Sequence, residues 1–218
     1  MLCVRWYLSF KLSSRDLVQM MTERGIVVAH TTILRWVQRY VPEFEKRWNC
    51  YARPMNRSWR CDETYIKVQG RWTYLYRAVD KYGRTVDFLL SERRDVAAAK
   101  RFFRQAMKNN GTPRVITLDA YAASHRAVRE LKSEGSMPRR VQIRSSKYLN
   151  NVVEQDHRRV KQRIAPMLGF KRFDTATITI SGIELAEKIK KAQFKIGKLA
   201  RRSGSAAAPA IWAAVLAS

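Results

Sequence analysis

The sequence predicts an α/β protein: a mixed sheet with helices packed on it, preceded by a small helical domain. Three observations predict it. Apolar residues recur with a helical period up to about residue 41, and near residue 58 the period becomes strand-like. Three strand-like segments then follow in succession before helices and strands begin to alternate. Hydrophobic residues make up 46% of the 218, enough for a core despite a formal charge of +25 from 43 Lys and Arg against 18 Asp and Glu.

The first segment, residues 1–42, reads as helices. Ser13 or Ser14 opens one, with Asp16 three residues after Ser13 in a capping-box pattern. Leu17, Met20 and Met21 recur at helical spacing, and Gly25 stops the run. After a short link, Thr31 or Thr32 caps the next helix. Ile33, Val37 and Tyr40 line its buried side with Trp36, and Arg35, Gln38 and Arg39 are left outward. Pro42 ends it. Two short helices joined by a Gly-containing turn make a helix-turn-helix candidate. Its second helix would offer His30, Thr32, Arg35, Gln38 and Arg39 to a DNA groove. Helical hairpins that bind nothing share this pattern, and the charge of the chain favours the DNA reading.

Residues 43–57 read as a polar linker containing Pro54. Residues 59–68 alternate, 72–80 are aromatic and apolar, and 84–90 alternate again, which predicts three strands. The turn signal Asp80-Lys81-Tyr82-Gly83 makes a hairpin of the second and third. An Ala-rich helix over 96–107 ends at Asn109-Asn110-Gly111. A short strand over 114–118, a helix over 124–134, a weak strand over 141–143 and a helix over 150–164 follow. A last helix spans 175–197, although its first half is β-branched, and a basic, Ala-rich tail occupies 198–218. This order is that of the ribonuclease H-like fold, which assigns 58–197 to one domain.

The charge implies a polyanionic partner. A pI near 10.7 attracts phosphate backbones and releases their counterions, so nucleic acid is preferred to an anionic membrane surface. Residues 139–172 hold ten Lys and Arg against Glu154 and Asp156 alone, and the plain alternative is a solvated basic face. No run of 18 apolar residues predicts a membrane span. Three widely spaced cysteines, Cys3, Cys50 and Cys61, predict neither a disulfide framework nor a cysteine zinc site. The start MLCVRWYLSF lacks a basic stretch ahead of its apolar residues, so a cytoplasmic protein is expected.

The scarce acids stand out against this background. Asp62 shares a strand face with Thr64, Ile66 and Val68, while Glu63 shares the other with Tyr65 and Lys67. An Asp on an apolar face is costly without a partner. Asp119 ends the apolar run 115–118, at the carboxyl end of a strand, where ligand sites gather in α/β sheets. Glu154 lies on the 150–164 helix with His157 and Lys161 on the same face and Val153, Val160 and Ile164 on a buried stripe. Each acid has a structural alternative: a buried partner for an arginine, a turn cap, a surface residue. Brought together, three carboxylates do not all ionise cheaply without a cation between them, and Mg²⁺ with its preference for oxygen ligands supplies one. Two such ions activate a water or a 3′ hydroxyl and stabilise the leaving oxygen of a phosphodiester.

Asp62 and Asp119 are separated by 56 residues, and Asp119 and Glu154 by 34. This spacing resembles the DD-34-E pattern of DDE transposases and retroviral integrases. The segments SWRCDETYIKVQGRWTYLYRAVDKYGRTVDFLLS, VITLDAYAASHRAV and KYLNNVVEQDHRRVKQR resemble bacterial insertion-sequence transposases of family six, as do HTTILRWVQRYVPEFEKR and GFKRF. The resemblance covers residues 3–197. It implies Asp62, Asp119 and Glu154 as ligands of two Mg²⁺ ions, with Mn²⁺ as a substitute, and a basic residue seven after the glutamate, matched by Lys161. It implies nicking of transposon 3′ ends and their joining to target DNA through cointegrates, by a homodimer or larger synaptic complex in the bacterial cytoplasm, associated with the nucleoid. Arg158 and Lys161 are expected to meet DNA, and His157 either DNA or the Glu154 carboxylate. Two departures are Ala120, in place of the family's Gly or Lys, and a start lying almost at VRWY, where family members carry a further stretch. A nuclease of the same fold that does not join strands, and an inactive DNA-binding regulator, are the rival readings.

Overall fold

The alternation that begins near residue 58 becomes a five-stranded sheet. The structure is a computed structural model and describes residues 2–119, 121–145, 151–195, 197 and 212. Strands β1 (Ser58–Val68), β2 (Arg71–Asp80) and β3 (Thr85–Ser91) run antiparallel to one another; β4 (Val115–Leu118) and β5 (Gln142–Ser145) join in parallel. The order in the sheet is β3-β2-β1-β4-β5. Three antiparallel strands extended by parallel ones behind helical crossovers make the ribonuclease H-like arrangement predicted. The β2–β3 hairpin turns at Gly83, whose φ of 75° suits glycine.

Helices α4 (Val96–Asn110) and α5 (Ala122–Ser133) connect these strands. Asp95 caps α4 by accepting from the Ala98 N–H. Phe102 and Phe103 of α4 and Val128 and Leu131 of α5 bury themselves against Trp59, Cys61, Tyr76 and Ile116 of the sheet. The face of β1 that carries residues 59, 61 and 63 is therefore the one these helices cover. Helix α6 (Asn151–Ile164) follows β5, with Val153 and Val160 buried on the stripe expected of them.

The remaining helices are α1 (Leu2–Ser9), α2 (Ser14–Thr22), α3 (His30–Asn49) and α7 (Phe173–Lys190). Ser13 caps α2 in the reciprocal capping box read from the sequence. Helix α3 starts one turn earlier than a Thr cap would place it: Ala29 precedes it and offers no side-chain cap.

Pro42 does not end α3, and residues 43–57 are not a linker. The helix runs on to Asn49, because Ile33, Val37, Val41, Phe44 and Trp48 form one stripe that is buried along its whole length. The bond that proline forfeits to the Gln38 carbonyl is outweighed by that burial. Trp48 packs edge-on to Phe194 and Trp212, at 4.7 Å and 5.8 Å between ring centroids. Beyond the helix, Arg53 and Lys195 exchange backbone hydrogen bonds with Gln193 and Tyr51. Trp36 and Tyr40, expected to be buried, are half-buried beside the stripe.

These contacts give a division different from the one expected. One compact unit takes the residues up to Arg53 together with those from Gln162 on; the other is Pro54–Lys161. Helix α7, assigned by sequence to the sheet domain, packs on α1 and α3. Its β-branched first half is helical because Ala176, Ile180 and Ile183 are buried there, which overrides intrinsic propensity. Gly182 permits the close approach: a Cβ there would stand 2.7 Å from Leu8 and 2.8 Å from Val41. Among the described residues no helix is long and apolar enough to cross a membrane. Ala120, Lys147, Asn150 and most of the 198–218 tail lie outside the described residues.

Candidate active site

Strand β4 is four residues long and lies parallel to β1, with Cys61 opposite Leu118. The next residue of each chain segment is an aspartate, so Asp62 and Asp119 meet where β4 stops. This is the crevice outside the carboxyl end of a strand, beside the point where sheet order reverses direction from β1. Tyr121 donates its N–H to Asp119 Oδ1 at 3.1 Å, and His125 Nε2 bonds the Asp119 carbonyl at 2.8 Å. Those two bonds hold the loop that carries the carboxylate.

Glu63 joins the pair. One oxygen from each of Asp62, Glu63 and Asp119 lies within 4.8 Å of the others. Although Glu63 points to the opposite face of β1 from Asp62, the end of β4 leaves both faces open to the Asp119 loop. The Glu63 side chain is 4% exposed. Ser124 donates to its Oε1, and Arg94 pairs with its Oε2 at 3.2 Å. Sequence reasoning set Glu63 aside; its position next to Asp62 was the signal. Arg94 carried no signal among 43 basic residues.

The electrostatics follow from burial and crowding. Burial, the neighbouring Asp119, Glu63 and Glu154 charges, and only one opposing hydrogen bond from the Glu63 N–H raise the Asp62 carboxyl from 3.8 to about 7. Glu63 is also raised by burial and by Asp119, against the pull of Ser124 and Arg94. Crowded oxygens of this kind suit a hard divalent cation, whose bound oxygens stand about 3–4 Å apart. Oxygens already within 4.8 Å need only a small closure, so the residues present fit such an ion.

Glu154 is exposed in the first turn of α6 and outside the 4.8 Å group, yet near enough for its charge to act on Asp62. The helix is tied to the sheet by Arg77, which stands directly across the β1–β2 ladder from Asp62. Arg77 Nη2 meets Asp156 Oδ2 at 2.7 Å, with the guanidinium fully buried. Its signal was an arginine in the apolar run WTYLYRAVD.

His157 was expected at DNA or at the Glu154 carboxylate. Instead it is buried, with Nδ1 3.8 Å from Asp62 Oδ2. Burial and the Arg77 and Lys161 charges lower its pKa to about 3, so the ring is neutral and packs beside the carboxylate. The turn of α6 toward the sheet that buries Val153 and Val160 carries His157 inward with them. Arg158 and Lys161 are exposed.

The α3 candidates divide as well. His30, Arg35 and Arg39 are exposed, and Thr32 is half-buried. Gln38 is not outward: its Nε2 donates to the Thr175 carbonyl at 3.2 Å and to Thr179 Oγ1 at 3.0 Å. Helix α7 covers that face of α3 and occupies the amide. The link from α2 to α3 spans residues 23–29, longer than the three- or four-residue turn of a compact helix-turn-helix.

The DDE_Tnp_IS240 family, described as a DDE domain, matches residues 56–193. The transposase for the insertion sequence-like element IS431mec of Staphylococcus aureus is 38% identical over 181 residues, 83% of this chain and 79% of that one. The transposase of IS257 in transposon Tn4003, also from Staphylococcus aureus, is 37% identical over the same share. Among solved structures, the catalytic core domain of HTLV-2 integrase in complex with magnesium aligns with a TM-score of 0.46 and 14% identity, over 60% of this chain and 86% of that one.

Proposed function

Because this chain belongs to the DDE transposases of bacterial insertion-sequence family six, we propose that it nicks the 3′ ends of its own element and joins them to target DNA at the Asp62–Asp119 crevice. The observation that carries this is the meeting of Asp62 and Asp119 oxygens, together with Glu63, within 4.8 Å, with the Glu154 charge acting on Asp62. Asp62, Asp119 and Glu154 hold divalent cations, Mg²⁺ with Mn²⁺ as a substitute. When bound, those ions activate the attacking water or 3′ hydroxyl and stabilise the leaving oxygen.

The chain's own groups prepare that chemistry. Asp62, whose carboxyl is raised to about 7 by burial and its neighbours, would have to be ionised to hold a cation. Arg77 and Asp156 set α6 against the sheet and so set where Glu154 stands. Neutral His157 excludes water from the inner side of Asp62. Lys161, two turns after Glu154 and about 10 Å along the helix, meets a phosphate of the bound strand. Helix α3 presents His30, Thr32, Arg35 and Arg39 to the inverted repeats, although the link before it is longer than that of a compact helix-turn-helix. Two ends need two sites, so a homodimer or larger assembly on double-stranded DNA is the working form, at the nucleoid in the bacterial cytoplasm.

Asp62→Asn, Asp119→Asn and Glu154→Gln test the assignment in a nicking and strand-transfer assay on inverted-repeat DNA. Each keeps size and removes a charge the cations need. Each is expected to lower nicking and joining by about a thousandfold or more while leaving end binding nearly intact. Full activity in any of the three refutes the assignment.

A further inference from the structure

The β1–β2 hairpin outruns its neighbours. The last pair that β3 makes with β2 is Tyr74 with Ser91, and the last that β4 makes with β1 is Cys61 with Leu118. Beyond those pairs β1 and β2 have only each other in the sheet. On the face shared with Glu63, cross-strand partners are Tyr65 with Tyr74 and Lys67 with Trp72. Helix α4 covers this face as far as Tyr76, which stacks on Phe102, and leaves the outer rings bare. Trp72 is 58% exposed and Tyr65 45%. These are large apolar surfaces to leave in water, and among the described residues they stay uncovered.

Cations accompany the rings. Lys67 Nζ lies 4.8 Å from the centre of the Trp72 ring, and the Arg94 guanidinium 5.9 Å from that of Tyr65 and 3.6 Å from that of Tyr121. Arg94 also donates to the Tyr65 hydroxyl at 3.2 Å. Tyr121 in turn donates its N–H to Asp119. A line of rings, each beside a positive charge, thus leads from the hairpin tip to the carboxylates. Glu63, the acid on this stretch of β1, has its side chain buried and paired with Arg94.

We propose that this ribbon is a stacking platform for unpaired bases of a DNA single strand, which it leads into the carboxylate crevice. The inference rests on the proposed function and adds to it the form of the substrate: a strand end whose last bases are out of the duplex. Aromatic faces stack on any base, and adjoining cations hold the phosphates between, which is how single strands are held without sequence preference. A paired duplex end hides its base faces and gains nothing from Trp72 or Tyr65. A second copy of this chain would bring the same cations against themselves, so charge favours the nucleic acid.

The test uses the full chain in EDTA with a labelled oligothymidylate of about 12 nucleotides and a blunt duplex of the same length. The double variant Trp72→Ala, Tyr65→Ala is expected to bind the single strand about tenfold or more weakly and the duplex within about threefold. Trp72→Phe keeps a ring and is expected to restore most of the affinity to Trp72→Ala. Because both side chains are exposed, thermal midpoints should not move. Independently, 5-iodouracil in the strand should photocrosslink to Trp72 or Tyr65 of the unaltered protein. Unchanged single-strand affinity in the double variant, or crosslinks confined to other elements, overturns the proposal. So does a fall in oligomeric state on sedimentation, which would make the ribbon a contact between copies. Any of these with metal-dependent nicking intact overturns the platform alone; loss of the Asp62 dependence of nicking overturns the proposed function instead.

Discussion

The helical unit and the sheet unit place their functional side chains in opposite environments. On α3 an unbroken stripe from Ile33 to Trp48 is buried, and the polar candidates His30, Arg35 and Arg39 stand exposed beside it. On β1 the Asp62 side chain is 16% exposed and that of Glu63 4%, and the neighbouring Arg77 is fully buried. Stability and the proposed recognition therefore lie on different residues in the helical unit. In the sheet unit the carboxylates proposed to carry the chemistry also bear the strain of crowded charge. A substitution in the first should change one property at a time, and in the second it should change two together.

The largest effect that would sharpen this contrast is at Gly182. A valine side chain would have to enter space held by Leu8 and Val41, at 2.7–2.8 Å from the first added carbon. Gly182→Val is expected to lower stability by about 2–3 kcal/mol, read as a lower denaturant midpoint. A neutral result would mean that the helices yield, and that their packing is looser than the separation of roles requires.

Next comes the coupling of protons to metal. With Asp62 raised to about 7, a cation must displace its proton below that pH. Apparent Mn²⁺ affinity, measured by calorimetry, should rise up to about tenfold per unit as pH climbs toward 7 and then level off. The sign for stability is opposite. The unfolded carboxyl ionises near 3.8 and the folded one near 7, so this group makes the metal-free protein less stable as pH rises across that window. Asp62→Asn should reduce both slopes to what the raised Glu63 carboxyl leaves. If the slopes persist in full in that variant, the charge strain does not reside in Asp62.

The smallest effect belongs to α3. Arg35→Ala and Arg39→Ala should each weaken inverted-repeat binding without moving the thermal midpoint. Loss of a base contact should cost about 1–3 kcal/mol on the correct sequence alone. Loss of a phosphate contact should weaken all sequences equally and lower the salt slope by about one. A fall in midpoint with either substitution would break the contrast, because the exposed face would then carry stability too.

Much was legible in the chain before any coordinates. The alternating segments 59–68 and 84–90 and the aromatic run 72–80 between them placed the first three strands within a residue or two, since these are local properties of a pleated backbone. The Ser13–Asp16 capping box was equally local. What failed was long-range. Pro42 reads as a terminator until Phe44 and Trp48 are seen to share the buried stripe of Val41. Gln38 reads as a DNA contact until α7, 137 residues away, takes its amide.

The sequence by itself determined that this chain is a basic α/β protein with acids at Asp62, Asp119 and Glu154, because composition, period and spacing are properties of the string. Only tertiary structure decided that Glu63 stands within reach of Asp62 and Asp119, that His157 faces inward, and that α7 belongs with α3. The physical reason is common to all three. A side chain's direction relative to its own backbone follows from local geometry, but what it meets there depends on where a distant element ends or packs. Here the deciding facts were that β4 stops at Leu118 and that a glycine at 182 lets two helices close on a third.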